Sequence, residues 1–380
     1  MKLIYVANAR IPTEKAHGLQ TMKTCEAFAR QGAVVELVLP KRHNPITEDP
    51  FTYYNIERNF KITKLPSFDL VRFGRIGFWI QRLTFLLAIL PKLASREADV
   101  IYSRDILASF LAVLLGEKRV AYEDHEPISS TWYAFLLHRI PYKVVVAANL
   151  LALYESPGVP TDRVLVAPNG VDLAEFDKVV PDPGLWNRLY DIPRETRIVL
   201  YVGHFYRWKG IYTLLDAAPH LGDGIAVVCI GGTAEDRAAV ERYCADRALN
   251  NVRIVPFLKH NDVIRHMKSA HVLVLPNTGE EERSLRYTTP LKLFEYMVSG
   301  VPIVASRIPS LEPYLVDGEN AILIDPDNPE QLAAGIKKIF DEPEAACRRA
   351  DVTHRDVKKY SWQERARSIL SFMRGTPPQD

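Results

Sequence analysis

Cysteine is scarce in this 380-residue chain, and its four copies (Cys25, Cys229, Cys244, Cys347) stand far apart with no Cys-x-x-Cys pair. Neither a zinc site nor a disulfide framework follows from that spacing, and a reducing compartment is expected. One-sided charge is missing too. Lys and Arg total 48 against 46 Asp and Glu, a formal net charge of +2 with both signs mixed along the chain. A nucleic-acid binder normally gathers its cations on one face, so that class is not indicated. Long hydrophobic runs are absent: the most apolar window, Leu83 to Leu90, lies between Arg82 and Lys92. A bilayer span needs about 20 apolar residues, so none is expected. Met1 to Val6 is soon interrupted and does not read as a signal peptide. Asn8 to Gly18 holds a single glycine, which argues against a nicotinamide-binding first turn. The expected location is cytoplasmic.

What is present is an alternation of short β-branched runs with longer helical ones, the pattern of an α/β protein with parallel sheets. At this length two domains are expected. Strands are expected at Lys2 to Ala7, Val34 to Leu39, 99–102, 119–122, 143–146 and 164–166, with a helix over Leu19 to Arg30 closed by Gly32. Residues 172–197 carry Pro181, Pro183 and Pro193 without clean periodicity, as a domain connection would. A second series follows at 198–202, 225–230, 252–255, 272–275, 301–305 and 321–324. Ligands of doubly wound sheets bind at the carboxyl ends of the strands. The segment Phe73 to Leu93 adds Arg75, Phe78, Trp79 and Ile80 to the apolar window. It reads as a buried helix or as one lying on a membrane surface.

Two motifs could carry chemistry. Gly203-His204-Phe205-Tyr206-Arg207-Trp208-Lys209-Gly210 joins a strand to a helix whose Ile211, Leu214, Leu215 and Ala218 share a face. Its glycines permit a tight turn, and Arg207, Lys209 and the helix start could hold a diphosphate. In Thr288-Thr289-Pro290-Leu291-Lys292-Leu293-Phe294-Glu295, Thr289 is the expected N-cap and Pro290 the first helical residue, with Gly300 ending the helix. Lys292 and Glu295 then share a face, as a surface ion pair or as a hydroxyl-binding carboxylate beside a cation.

This second segment resembles the donor-site motif of family 4 of the retaining glycosyltransferases. The Gly203–Gly210 loop, Pro168-Asn169-Gly170-Val171-Asp172 and Ser361-Trp362 agree with that family in order and spacing. The resemblance implies a GT-B fold: α/β, with two Rossmann-like doubly wound parallel-sheet domains facing a central cleft. Residues 1–175, joined by the C-terminal helix at about 361–375, would bind the acceptor. Residues 176–360 would bind the donor, a nucleotide-diphosphate sugar acting as co-substrate, with no other cofactor and no metal. Lys209 would hold the diphosphate, Glu295 the ribose hydroxyls, and Thr288, Thr289, Pro290 and Leu291 would approach sugar or phosphate. Phe257 and Leu258 would lie near the base, while Gly203 and Arg207 complete the phosphate loop. His17-Gly18 and His125 would lean over the donor sugar. His125, Lys209 and Glu295 are the expected catalytic set, and a glycan, a lipid-linked precursor or a small molecule the acceptor.

Two departures stand out. His204 occupies a position where many members carry arginine, and Tyr287, eight before Glu295, replaces an acid that contacts the sugar. Lys292, or one of Glu280, Glu281 and Glu282, would substitute. Asp325-Pro326-Asp327 has the letters of a metal motif but reads as a turn before a helix. The rival readings are a degenerate nucleotide-binding scaffold and a sugar-nucleotide epimerase.

Overall fold

A computed structural model describes residues 1–117, 119–125, 130–155, 158–287 and 289–375. The chain divides into two compact units, Met1–Gly170 with the segment from Trp362 onward, and Val171–Ser361.

The first unit is built on a seven-stranded, wholly parallel sheet of order β3-β2-β1-β4-β5-β6-β7. Its strands are β1 (Lys2–Val6), β2 (Val34–Pro40), β3 (Lys61–Leu65), β4 (Val100–Ser103), β5 (Val120–Asp124), β6 (Tyr142–Val145) and β7 (Val164–Val166). The order reverses beside β1, between β2 and β4, which is where open α/β sheets open a crevice. Helix Ala16–Arg30 follows β1, and the C-terminal helix Trp362–Arg374 packs on it. The expected strands all form. β3 was not anticipated, because Lys-Ile-Thr-Lys-Leu is an edge strand whose lysines face water rather than a buried run.

The second unit has six parallel strands in the order β10-β9-β8-β11-β12-β13. These are β8 (Arg197–Gly203), β9 (Ile225–Gly231), β10 (Val252–Val255), β11 (Val272–Leu275), β12 (Ile303–Ser306) and β13 (Ile322–Ile324). Alternate residues of β8 feed two separate cores. Ile198, Leu200 and Val202 join Phe294, Tyr296 and Met297 on one face. Val199 and Tyr201 join Leu214, Leu215 and Ile336 on the other. Both faces are covered, so the strands read as continuous apolar runs. The aperiodic stretch after Asp172 carries two short helices, Leu173–Asp177 and Leu185–Tyr190. Phe176, Leu185 and Trp186 from them are buried in the first of these cores.

The apolar segment forms one continuous helix, Gly74–Ala94, preceded by a turn at Val71–Phe73. From Val71 to Ala94 it is long and apolar enough to cross a membrane by length and composition, which corrects the eight-residue reading. Arg75 and Arg82 interrupt the hydropathy but not the helix.

Candidate functional site

In the second unit the glycine-flanked loop leaves the carboxyl end of β8, makes a 3-10 turn at Arg207–Lys209 and enters helix Ile211–Ala217. Gly210 sits at φ +72°, and a Cβ there would lie 1.5 Å from the carbonyl oxygen of Pro276. The loop is thereby seated on the segment after β11. Three more bonds tie it there: the Trp208 carbonyl accepts from Thr278 N (3.2 Å), Thr278 Oγ1 (3.3 Å) and Ser284 Oγ (3.2 Å). At the loop's start, the Gly203 carbonyl accepts from Gly232 N at 3.2 Å. Gly210→Ala is expected to cost about 2–3 kcal/mol, since it combines a left-handed backbone with a backbone clash. Urea unfolding of the variant beside the native chain checks this. Unchanged stability would show that the loop is not seated as described.

Lys209 is the electrostatic centre of this loop. Its ammonium lies over the Trp208 ring, 4.9 Å from the centroid, and no carboxylate among the described residues comes within 4 Å of it. Burial, then the positive charge of Lys292, push its pKa down to about 8. Lys292 itself is paired, its Nζ donating to Glu295 Oε2 at 2.5 Å. The other oxygen of Glu295 faces His260 Nδ1 at 3.9 Å, and His260 Nε2 faces Glu175 Oε2 at 3.5 Å. Two cations and a buried carboxylate thus stand together, joined to a second carboxylate through an imidazole. Such a site suits an anion next to a hydroxyl-bearing group.

Glu295 is carried by helix Leu291–Ser299, pinned to β8 because Val202 N donates to Tyr296 Oη at 2.8 Å. This helix starts one residue later than expected. Pro290, at ψ 138°, is the N-cap and Leu291 the first helical residue. Thr289 is instead buried and held by Tyr314. Gly300 ends the helix at φ +73°, as its left-handed preference requires. Thr288 lies outside the described residues.

The structure brings Lys209, Lys292 and Glu295 together. It leaves Arg207 apart, its guanidinium stacked on the Tyr212 ring at 4.9 Å. Leu258 packs against the core, whereas Phe257, beyond β10, is 55% exposed. His204 stacks on Tyr206 and Tyr206 on Trp208, so the residue at the arginine position is part of an aromatic column. Tyr287 ends a π-helical turn, Arg283–Tyr287, and burial and a hydrogen bond with Glu282 raise its phenol pKa. Asp327 accepts from Gly279 N at 2.8 Å and Asp325 from Gln331 Nε2 at 2.9 Å, so both serve the turn.

In the first unit Gly18 belongs to the first turn of helix Ala16–Arg30 rather than to the preceding loop. The place of its missing Cβ is taken by the Tyr54 hydroxyl, 2.1 Å away, which accepts from Thr13 N and donates to Thr13 O. His17 has its pKa lowered to about 4 by burial and the charges of Arg104, Lys15 and Arg10. His125 follows β5, with Nε2 2.6 Å from Glu123 Oε1. Burial, then Arg104, push its pKa down to about 4, against the pull of Glu123. The imidazole is therefore neutral near pH 7. Its Nε2 donates to the carboxylate, and Nδ1 keeps a lone pair.

Glu123 is the residue that sequence reasoning missed here. It is buried, accepts from Gln20 Nε2 and the Tyr102 hydroxyl, and is ion-paired with Arg365 at 3.1 Å. Burial alone would raise its pKa, but Arg365, His125 and Arg104 hold it well below the usual carboxylate range. The sequence does carry a signal: an acid at the end of a buried strand, and an arginine on the face shared by Trp362, Ala366 and Ile369.

The fold is that of a two-unit α/β protein of the GT-B class. Residues 196–342 match the family model described as Glycosyl transferases group 1, which bears out the resemblance read from the motifs. The chain is 24% identical over 233 residues to the D-inositol 3-phosphate glycosyltransferase of Corynebacterium urealyticum, covering 57% of this chain and 52% of that one. It is 26% identical over 293 residues to the phosphatidyl-myo-inositol mannosyltransferase of Mycobacterium tuberculosis, covering 73% and 74%. The chain spans about half the length of the inositol-phosphate relatives it matches. The structure of Anabaena Alr3699/HepE in complex with UDP-glucose aligns at TM-score 0.77 and 15% identity, over 99% of this chain and 100% of that one. At such identity the likeness is one of fold.

Proposed function

We propose that this protein is a glycosyltransferase that moves a sugar from a nucleoside-diphosphate sugar to an acceptor hydroxyl, with retention at the anomeric carbon. The observation that carries the reading is Lys209, a partly buried ammonium without a carboxylate partner among the described residues, set beside Lys292 and the carboxylate of Glu295. In this assignment Lys209 neutralises the diphosphate and Glu295 binds the ribose hydroxyls. Lys292 stands in for the acid replaced by Tyr287. Thr289, Pro290 and Leu291 bring backbone to the sugar phosphate, and Phe257 offers its exposed ring to the base. Departure of the diphosphate is then stabilised by fixed cations, without a covalent enzyme intermediate. In the first unit Gly18 and His125 are assigned to substrate, His125 accepting a hydroxyl hydrogen bond at Nδ1. The relative named for a phosphatidyl-inositol substrate favours a lipid-linked acceptor over a free glycan or small molecule.

A thermal-shift screen with UDP, GDP and ADP tests the reading on the native chain and on Glu295→Ala. A ligand that binds only the folded state raises its Tm. One nucleotide is expected to stabilise the native chain and to lose most of that effect in the variant. No stabilisation at millimolar concentration would remove the donor-site assignment. Stabilisation without donor consumption would instead favour a nucleotide-binding scaffold, a reading that rests on Tyr287 in the place of an acid.

A further inference from the structure

Helix Gly74–Ala94 carries two apolar stripes, and among the described residues only one of them is covered. Gly77, Gln81, Phe85, Ile89 and Leu93 are buried. Gln81 donates to Asn8 Oδ1 at 3.0 Å, and Arg82 makes two bonds to Asp105, so this side is committed to the first unit. At Gly77 a Cβ would lie 1.7 Å from the Leu70 carbonyl oxygen, which fixes the preceding turn against the helix. The other stripe, Ile76, Ile80, Leu83 and Leu87, follows helical spacing and is exposed, as are Phe73 and Trp79 at its edges. Ile76 is 76% exposed and Leu87 64%. A continuous apolar face of this kind on a folded chain marks an interaction surface.

The charges around it select the occupant. Between Asp69 and Glu97 there is no acidic residue, while Arg72, Arg75, Arg82, Lys92 and Arg96 are all basic. Arg82 and Lys92 are paired with Asp105 and Glu36, so the cations left to face outward are Arg72 and Arg75, at the amino end of the stripe, and Arg96. A second copy docked isologously would set cationic flanks with no acid between them against each other. A peptide or protein partner would need to be both apolar and acidic. A bilayer surface with anionic headgroups supplies both features at once.

We infer that the outward stripe of helix Gly74–Ala94 docks the first unit on an anionic membrane surface. The helix lies in the interface plane, with Ile76, Ile80, Leu83 and Leu87 among the acyl chains and Arg72 and Arg75 at the headgroups. It does not cross, because its opposite side, ion pair included, is held by the unit it belongs to. Trp79, half-exposed at the boundary, has the amphipathic character that such an interface favours.

Sedimentation of the full chain with phosphatidylcholine vesicles, with and without phosphatidylglycerol, tests the proposal independently of any transferase activity. Binding to the mixed vesicles is expected, weakened by high salt and roughly fivefold weaker for each of Arg72→Gln and Arg75→Gln. Ile80→Asp with Leu87→Asp is expected to abolish sedimentation while leaving Tm unchanged, since both positions are exposed in the fold. If that pair failed to fold, the native chain would still decide: a vesicle-dependent blue shift of tryptophan emission, lost in Trp79→Phe, supports the docking. No binding to mixed vesicles overturns it. Equal binding to neutral vesicles, or binding that these variants leave intact, overturns it as well. A concentration-dependent dimer dissolved by Ile80→Asp would assign the face to a second copy instead.

Discussion

Lys209→Ala is expected to weaken nucleoside-diphosphate binding by roughly a hundredfold. Truncating one member of a desolvated charge pair costs about 2–5 kcal/mol, much of it from the partner left uncompensated. In the proposed assignment the partner is a diphosphate, and Lys292 would not replace the missing charge because Glu295 already holds it at 2.5 Å. The pH dependence separates this role from a merely structural one. Burial and Lys292 set the free Lys209 at about 8, so the ammonium is charged below that value and neutral above it. A bound diphosphate raises that pKa, and the complex therefore holds a proton that the free protein has lost. Affinity falls as pH rises through 8, by up to about tenfold per unit, until the pKa of the complex is reached. In Lys209→Arg the cation does not titrate, and that decline should vanish even if affinity at pH 7 drops. Isothermal titration at pH 7, 8 and 9 with both variants reads these outcomes. A native affinity flat across that range would remove Lys209 from the phosphate.

The fold was more legible than the site's wiring, for a physical reason. Strands of a sheet covered on both faces are apolar runs, and they stand out in the sequence wherever a helix with its own period follows. β3 escaped because an edge strand with Lys61 and Lys64 has neither signature. Lys209, Lys292 and Glu295 were visible because the motif puts them on one loop and one helix. Their surroundings were not. His260 reaches Glu295 and Glu175 from elements distant in sequence, and nothing local to His260 marks it. The helix cap at Pro290 was misplaced by one residue because Thr289 has a competing partner in Tyr314. The exposed stripe of helix Gly74–Ala94 could not be told from a buried one by periodicity. Both stripes are apolar, and only packing shows which one meets the unit.

Removing the Arg365 guanidinium should be the most damaging single change to stability. Arg365 reaches from the C-terminal helix to the Pro168 carbonyl at 2.9 Å and to Glu123 at 3.1 Å, and both charged side chains are almost wholly buried. Arg365→Ala would leave Glu123 buried with its hydrogen-bond partners and only the weaker attraction of Arg104 in place of its ion-pair partner, a loss of about 3–5 kcal/mol. That is a large share of the roughly 5–15 kcal/mol that holds a domain together. The C-terminal helix should then loosen first, which limited proteolysis near Trp362 would detect. Arg365→Met with Glu123→Gln removes both charges and is expected to recover much of the loss, because the pair's cost lies in an unmatched charge. The sign of the pH dependence follows from the same cluster. Glu123 is held below its unfolded pKa, so its contribution is present above that value and is lost only in strong acid. His125 is neutral in the fold down to about 4, whereas in the unfolded chain it protonates near 6.5. The unfolded state therefore binds the extra proton between those values, and stability should fall as pH drops from about 6.5 towards 4. His125→Gln should reduce that slope, leaving the share carried by His17, whose pKa is lowered alike, without affecting the response to Arg365→Ala above pH 7. Urea midpoints at pH 4.5, 6 and 7.5 distinguish the two effects, and a double variant no better than Arg365→Ala would show that packing, rather than charge, carries the cost.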